Sequence, residues 1–221
     1  MKISDLFLEE FEPALNMWIS QFTSPADLFA ALPQLYARLN SKNIQGVVEE
    51  GVVIVGPVHI SAGSVVHGQA VIRGPVIVGN GTIVHSHAEI QSGCFVGSKC
   101  TIGHGCSIIN SMVMNNAIVW PAVFIRNSVI GFGSVIGPGA VLGAQKSELS
   151  NNMSCTSSDT SSDLGVMLGD HSSVGANSIL RPGTIVGHRT IVAEGVVAEG
   201  IYDSNQTITS SQTLEIKPRL G

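Results

Sequence analysis

Seven histidines and four cysteines hold most of the reactive chemistry this 221-residue sequence can offer: His59, His67, His85, His87, His104, His171, His188, and Cys94, Cys100, Cys106, Cys155. An imidazole can take a proton from an attacking amine or hydroxyl near neutral pH if it lies within hydrogen-bond reach. His104 is the candidate for that role. It follows the apolar Ile102 by two residues and stands just before a break in an otherwise regular pattern. The cysteines lack the paired spacing of a zinc site. Cys94, Cys100 and Cys106 lie six apart, at a position filled elsewhere by small residues, and read as buried space-fillers on three walls of one coil. His67 and His85 are eighteen apart, which predicts one column with His87 beside it. Stacked surface imidazoles are the plain reading of that column, and no metal is expected.

A rigid element must position these side chains, and the chain contains one. From Ile54 to Met114 every sixth residue is apolar, through Ile60, Val66, Ile72, Val78 and onward. A period of six is neither the 3.6 of a helix nor the 2 of a half-buried strand. It marks a hexapeptide repeat, in which six residues make a short strand and a corner and three such units close one coil of a parallel β-helix. A small residue or Val sits two places before each large one, as at Ser64, Ala70 and Thr82. After Ile108 a four-residue step leads to a second series, Met112, Ile118, Phe124, Ile130, Ile136 and Leu142; a third runs from Leu168 to Ala198. Together they predict about 7–8 coils. In that register His104 lies beneath Trp120 and diagonal to Pro121, one strand spacing (~4.8 Å) away.

The fold class expected is therefore all-β, a parallel β-helix covering 46–200 with a small N-terminal helical cap over 1–45. Ser24-Pro25-Ala26-Asp27 reads as a helix start, and Leu28, Leu32, Leu35 and Leu39 follow at helical spacing. Residues 144–164, rich in Ser, Thr and Asn, interrupt the repeat as a protruding loop, and 201–221 are expected as a C-terminal arm. A net charge of −5 without a basic stripe argues against nucleic acid. No apolar run approaches the ~18 residues of a membrane span. The N-terminus lacks the basic-then-apolar plan of a signal peptide, so a cytoplasmic protein is expected.

Two stretches carry a resemblance: Ser107 to Gly131, SIINSMVMNNAIVWPAVFIRNSVIG, and Leu164 to Gly187, LGVMLGDHSSVGANSILRPGTIVG. Glu50 to Pro57 adds to them. Over about 45–200 the chain resembles the C-terminal acetyltransferase domain of bifunctional sugar-1-phosphate nucleotidylyltransferases of the glucosamine-1-phosphate acetyltransferase type. The resemblance implies a left-handed coil, a homotrimer, and acetyl-CoA or another acyl-CoA as cosubstrate in a groove between two prisms. It also implies a sugar-like acceptor. Ala176 and Ala193 match positions along which that family lays the pantetheine arm, and Arg189 or Arg181 is the residue expected to meet the CoA phosphates. The family's nucleotidyltransferase domain is not part of the match, so uridylyl transfer is not implied. The acceptor side differs. The family's general base falls on Pro121, its phosphate-binding Arg on Gln91, and a Lys on Ile109. Its Tyr falls on Phe124, and two amide positions fall on Val135 and Ala144. A base at His104 would have to stand in for the one missing at Pro121.

Three readings stay open on the sequence. The favoured one is acyl-CoA-dependent transfer to an amino or hydroxyl group of a sugar or sugar phosphate. The alternative is a non-catalytic trimeric scaffold or binding protein derived from such a domain. Metal-dependent carbonate chemistry is the third, and it requires histidines from two copies of the chain.

Overall fold

The computed structural model describes residues 41–143 and 164–210. The expected helical cap, apart from its last residues, and the loop at 144–163 lie outside them, as does most of the expected arm. Among the described residues the chain forms 26 short strands in three parallel sheets of nine, nine and eight strands. Sheet A runs from Asn43–Ile44 to Ile201–Tyr202, sheet B from Val47–Val48 to Thr207–Ile208, and sheet C from Val53–Val55 to Val197–Ala198. Each strand is followed by one in the next sheet, so every third strand pairs, and the chain climbs as a left-handed β-helix of about eight coils. The stack begins with Asn43–Ile44, inside the segment expected to be helical. It continues through Ile208, past the boundary expected at 200, because the last two strands still find partners at Ile185–Val186 and Ile191–Val192.

The hexapeptide period holds because each coil repeats the inward direction of the one below. In sheet A, Ile60, Val78, Val96, Val113, Ile130, Leu168 and Val186 form one ladder, every member buried. Full burial of each such side chain stabilises by about 1.5–3 kcal/mol. The small inward position has a second task. Its hydroxyls donate to carbonyl oxygens of the coil above: Thr82 to Gly97 (2.6 Å), Ser172 to Gly187 (2.8 Å), Ser178 to Ala193 (2.8 Å) and Thr190 to Asp203 (2.9 Å). Cys100 and Cys106 point their thiols at Met114 O and Trp120 O in the same way, both at 3.0 Å. The three cysteines are buried, as expected, and burial pushes the Cys94 and Cys100 thiols up to about 12.

The register after Ile108 differs from the expected one. The inward series steps by five residues twice, from Ile108 to Val113 and from Ile125 to Ile130, rather than by four once. The reason lies at the corner between sheets C and A. In the full-length unit just below, two residues there take positive φ, Ser92 (61°) and Gly93 (81°). In the shortened units a single Asn does so, Asn110 (45°) and Asn127 (49°), and Asn tolerates that conformation better than most residues. A serine after each Asn holds the tighter corner. Ser111 Oγ donates to Ile109 O (2.7 Å) and accepts from Ser128 N (3.1 Å). Ser128 Oγ donates to Arg126 O (2.6 Å) and accepts from Val166 N (2.9 Å). Ile118 and Phe124 therefore face outward, and Val119 and Ile125 fill the core.

Candidate functional site

The corner between sheets B and C brings together most of the residues singled out from sequence. A chain of backbone hydrogen bonds fixes its register. Gly105 N donates to Ser86 O, Ala122 N to His104 O, Gly139 N to Pro121 O, Asn177 N to Pro138 O, and Gly195 N to Ala176 O. Ser86, His104, Pro121, Pro138 and Ala176 thus occupy one column in successive coils. His104 lies directly beneath Pro121, not beneath Trp120 as expected; the residue beneath Trp120 is Gly103. The first five-residue step accounts for the shift, since the single shortened corner at Asn110 brings Val119 rather than Ile118 into register with Ile102.

This edge divides into two halves of different character. The lower half is polar. Glu49 binds His67 Nδ1 at 2.9 Å and accepts from Gly68 N at 2.9 Å, and those two bonds, the backbone one foremost, hold its carboxyl below the ordinary carboxylate value. His67 and His85 stack as expected, with ring centroids 5.3 Å apart and 18° between planes. Ser86 Oγ lies 3.2 Å from His104 Nδ1, and His87 meets the His104 ring edge-on at 4.9 Å. An open cleft lined by Glu49, Glu50, His67, Gln69 and His85 lies here. Among the described residues no group of three or more His, Cys, Asp and Glu is placed to hold a metal ion.

The upper half is uncharged until Glu194 and, apart from Trp120, small. Gly103, Trp120, Gly137, Gly175 and Ala193 form one column, and Pro138 and Ala176 stand in the next. The glycines are dictated by close approach of successive corners: a Cβ on Gly137 would lie 2.7 Å from Ala176 N, and one on Gly175 2.5 Å from Glu194 N. Nothing overhangs Trp120 from Gly103 below or Gly137 above, and its indole is half exposed. Imidazole and small-residue track therefore share one edge, with His104 three coils below Ala176.

Arg189 is elsewhere. Its N–H donates to Asp170 O on the corner between sheets A and B, so within one chain it does not join His104, Ala176 and Ala193. That corner holds a buried carboxylate, Asp170, whose Oδ1 accepts from Phe132 N at 2.7 Å. Asn115 Oδ1 does the same for Ser98 N at 2.8 Å, so both act as clasps between coils.

Sequence reasoning missed the cations on the outer face of sheet C. Gln91 and Ile109 stand in one column, and Arg73 and Arg126 flank them directly below and above. Arg73 is bound to Glu89 at 2.8 Å. The signal for Arg126 is the Arg in FIRN, legible only once the first shortened corner, at Asn110, is recognised.

The fold is that of the hexapeptide-repeat solenoids, a left-handed parallel β-helix. The chain belongs to the family described as the GMPPB C-terminal domain, whose model matches residues 72–191. No curated protein matches it. Among solved structures it is similar to LpxA, a UDP-N-acetylglucosamine acyltransferase from Bacteroides fragilis 9343, at 15% identity over 74% of this chain and 67% of that one, with a TM-score of 0.49. The UDP-N-acetylglucosamine acyltransferase of Francisella novicida is 14% identical over 73% and 68%, with a TM-score of 0.44. The acetyltransferase domain of PglB from Neisseria gonorrhoeae FA1090, in complex with acetyl coenzyme A, is 14% identical over 75% and 54%, with a TM-score of 0.31. Identity this low concerns the fold alone.

Proposed function

We propose that this protein is an acyl-CoA-dependent transferase, acting as a homotrimer on an amino or hydroxyl group of a sugar or sugar-phosphate acceptor. The observation that carries the reading is the shared edge: His104 at its polar end and the uncharged track of Gly137, Pro138, Gly175, Ala176 and Ala193 above it. An uncharged track with no large side chains suits an extended acyl-pantetheine arm. In the active tautomer His104 Nδ1–H donates to Ser86 Oγ, which leaves Nε2 free as base. Nε2 takes the proton from the acceptor as its nitrogen or oxygen attacks the thioester carbonyl. The carbon–sulfur bond then breaks, the acyl group passes to the acceptor, and CoA leaves as the thiol after taking up a proton. Arg126, one coil above Ile109, is the cation in the column where an acceptor phosphate is expected.

Melting temperature measured against acetyl-CoA and longer acyl-CoAs tests the reading. A rise with at least one of them is expected, together with a loss of about 10²–10⁴-fold in turnover for His104→Ala. No shift at saturating concentration of any acyl-CoA would sink the transferase. Pro121 at the family's base position favours a second reading, a binding or scaffold domain without turnover. Co-purification with a nucleotidyltransferase would support it, and measured acyl transfer would end it.

A further inference from the structure

Sheet A differs from the other two on its outer face. Its outward column runs from Asn43 to Ile201 and is apolar from Ile77 onward. Met112, Val129 and Met167 on it are fully buried although they point away from the core, and Met114 beside them is 1% exposed. The matching columns of sheet B, Val47 to Thr207, and sheet C, Val53 to Val197, hold no buried member. Strand geometry is the same in all three sheets, so this burial requires another layer on sheet A. The described residues all belong to the coils. The layer is therefore one of the chain's other stretches: 1–40, 144–163 or 211–221.

Composition and the limits of the burial select among them. Residues 211–221 follow the last coil, yet Ile201 at that end of the column is 65% exposed. Residues 144–163 offer only Leu149 and Met153 as large apolar side chains. Residues 1–40 lead directly into Asn43–Ile44, the first strand of sheet A, and from that end His59, Ile77 and Phe95 are already partly buried. They carry Phe11, Leu15 and Trp18 at helical spacing, then Leu28, Leu32, Leu35 and Leu39. Met112 stands four strands from Asn43–Ile44 and Met167 six, about 19 and 29 Å. A helix over 24–39 reaches up to about 24 Å, bent at Pro33, and the residues before Ser24 continue beyond it. The open end of the prism is not where this stretch lies. Ile44 points inward there and is 43% exposed, whereas Ile60 one coil above is fully buried.

We infer that residues 1–40 pack lengthwise on the outer face of sheet A, against Ile77, Phe95, Met112, Val129 and Met167, rather than over the end of the prism. An amphipathic helix laid on a sheet buries one apolar stripe, and the four leucines supply such a stripe. Sheet A is thereby closed to other partners, and sheets B and C remain the outer faces of the chain.

Methionine oxidation by hydrogen peroxide, mapped by peptide on the full chain, tests this. In the wild type Met112, Met114 and Met167 should oxidise about tenfold more slowly than in the chain unfolded in guanidinium chloride. Leu28→Asp/Leu32→Asp/Leu35→Asp should remove most of that protection while Cys94 and Cys100 stay closed to alkylation, which shows that the coils still stand. Leu149→Asp/Met153→Asp should leave the protection intact. A second measurement serves if the triple variant opens the coils as well: p-benzoylphenylalanine placed at Phe95 should photo-crosslink to residues 1–40 of the same chain. Wild-type methionines that oxidise as fast as in the unfolded chain overturn the inference. So does protection lost only in the Leu149/Met153 variant, and so do crosslinks that run to 144–163 or join two chains.

Discussion

Thr82→Val tests the idea that buried hydroxyls bind one coil to the next. Thr82 is fully buried, and its Oγ1 works in both directions: it donates to Gly97 O at 2.6 Å and accepts from Cys100 N at 3.0 Å. Valine keeps the shape and removes both bonds. A buried polar group left without its partner costs about 1–3 kcal/mol, and two are affected. The hydroxyl's own desolvation, relieved in the variant, offsets part of that, so a net loss of about 2–4 kcal/mol is expected. In a chain of this size each kcal/mol is worth about 2–4 °C in melting temperature, which gives a fall of roughly 5–15 °C. A solenoid can open coil by coil, so a global melt alone is a blunt measure. Native-state hydrogen exchange at the Cys100 amide reads the bond itself, and that amide should lose more protection than those of distant coils. Thr82→Ser, which keeps both bonds and loses one methyl, should recover most of the stability. If Thr82→Val melts within a degree of wild type with Cys100 still protected, the coils are held by apolar packing alone and the hydroxyl column is incidental.

The cysteines and one glycine give further tests. Cys94 and Cys100, with thiols raised to about 12, should stay unalkylated by iodoacetamide at pH 8 in the native protein, as mapped residue by residue. Because their folded values lie above the unfolded one, the stability they contribute is complete below the ordinary thiol value of 9.0 and is lost as pH rises from there towards about 12. Denaturant midpoints across that range should fall, and should fall less in Cys94→Ala/Cys100→Ala. Gly103→Ala would set a Cβ 2.6 Å from Pro121 N and 2.7 Å from Trp120 C. It should cost about 1–3 kcal/mol or more by overpacking. On the proposed transferase function it should also lower turnover by moving the His104–Pro121 corner; unchanged stability would show that the corner is not rigid.

The sequence by itself determined the fold. Six-residue periodicity is a local property, since each unit records its own strand, corner and inward side chain, and identical units can bury their apolar faces only by stacking. It also determined that Cys94, Cys100 and Cys106 are interior and that His67 and His85 share a column. It could not count the residues in each corner. Asn110 and Asn127 each do the work of two residues, and one missing residue exchanges the inward and outward sides of a strand. Only the tertiary structure decided that His104 stands beneath Pro121, that Arg126 follows Ile109 in one column, and that Arg189 lies across sheet B from Ala176. The first two relations join residues a full coil apart in sequence and depend on the summed length of the corners between them, and the third depends on which corner of the coil each residue occupies.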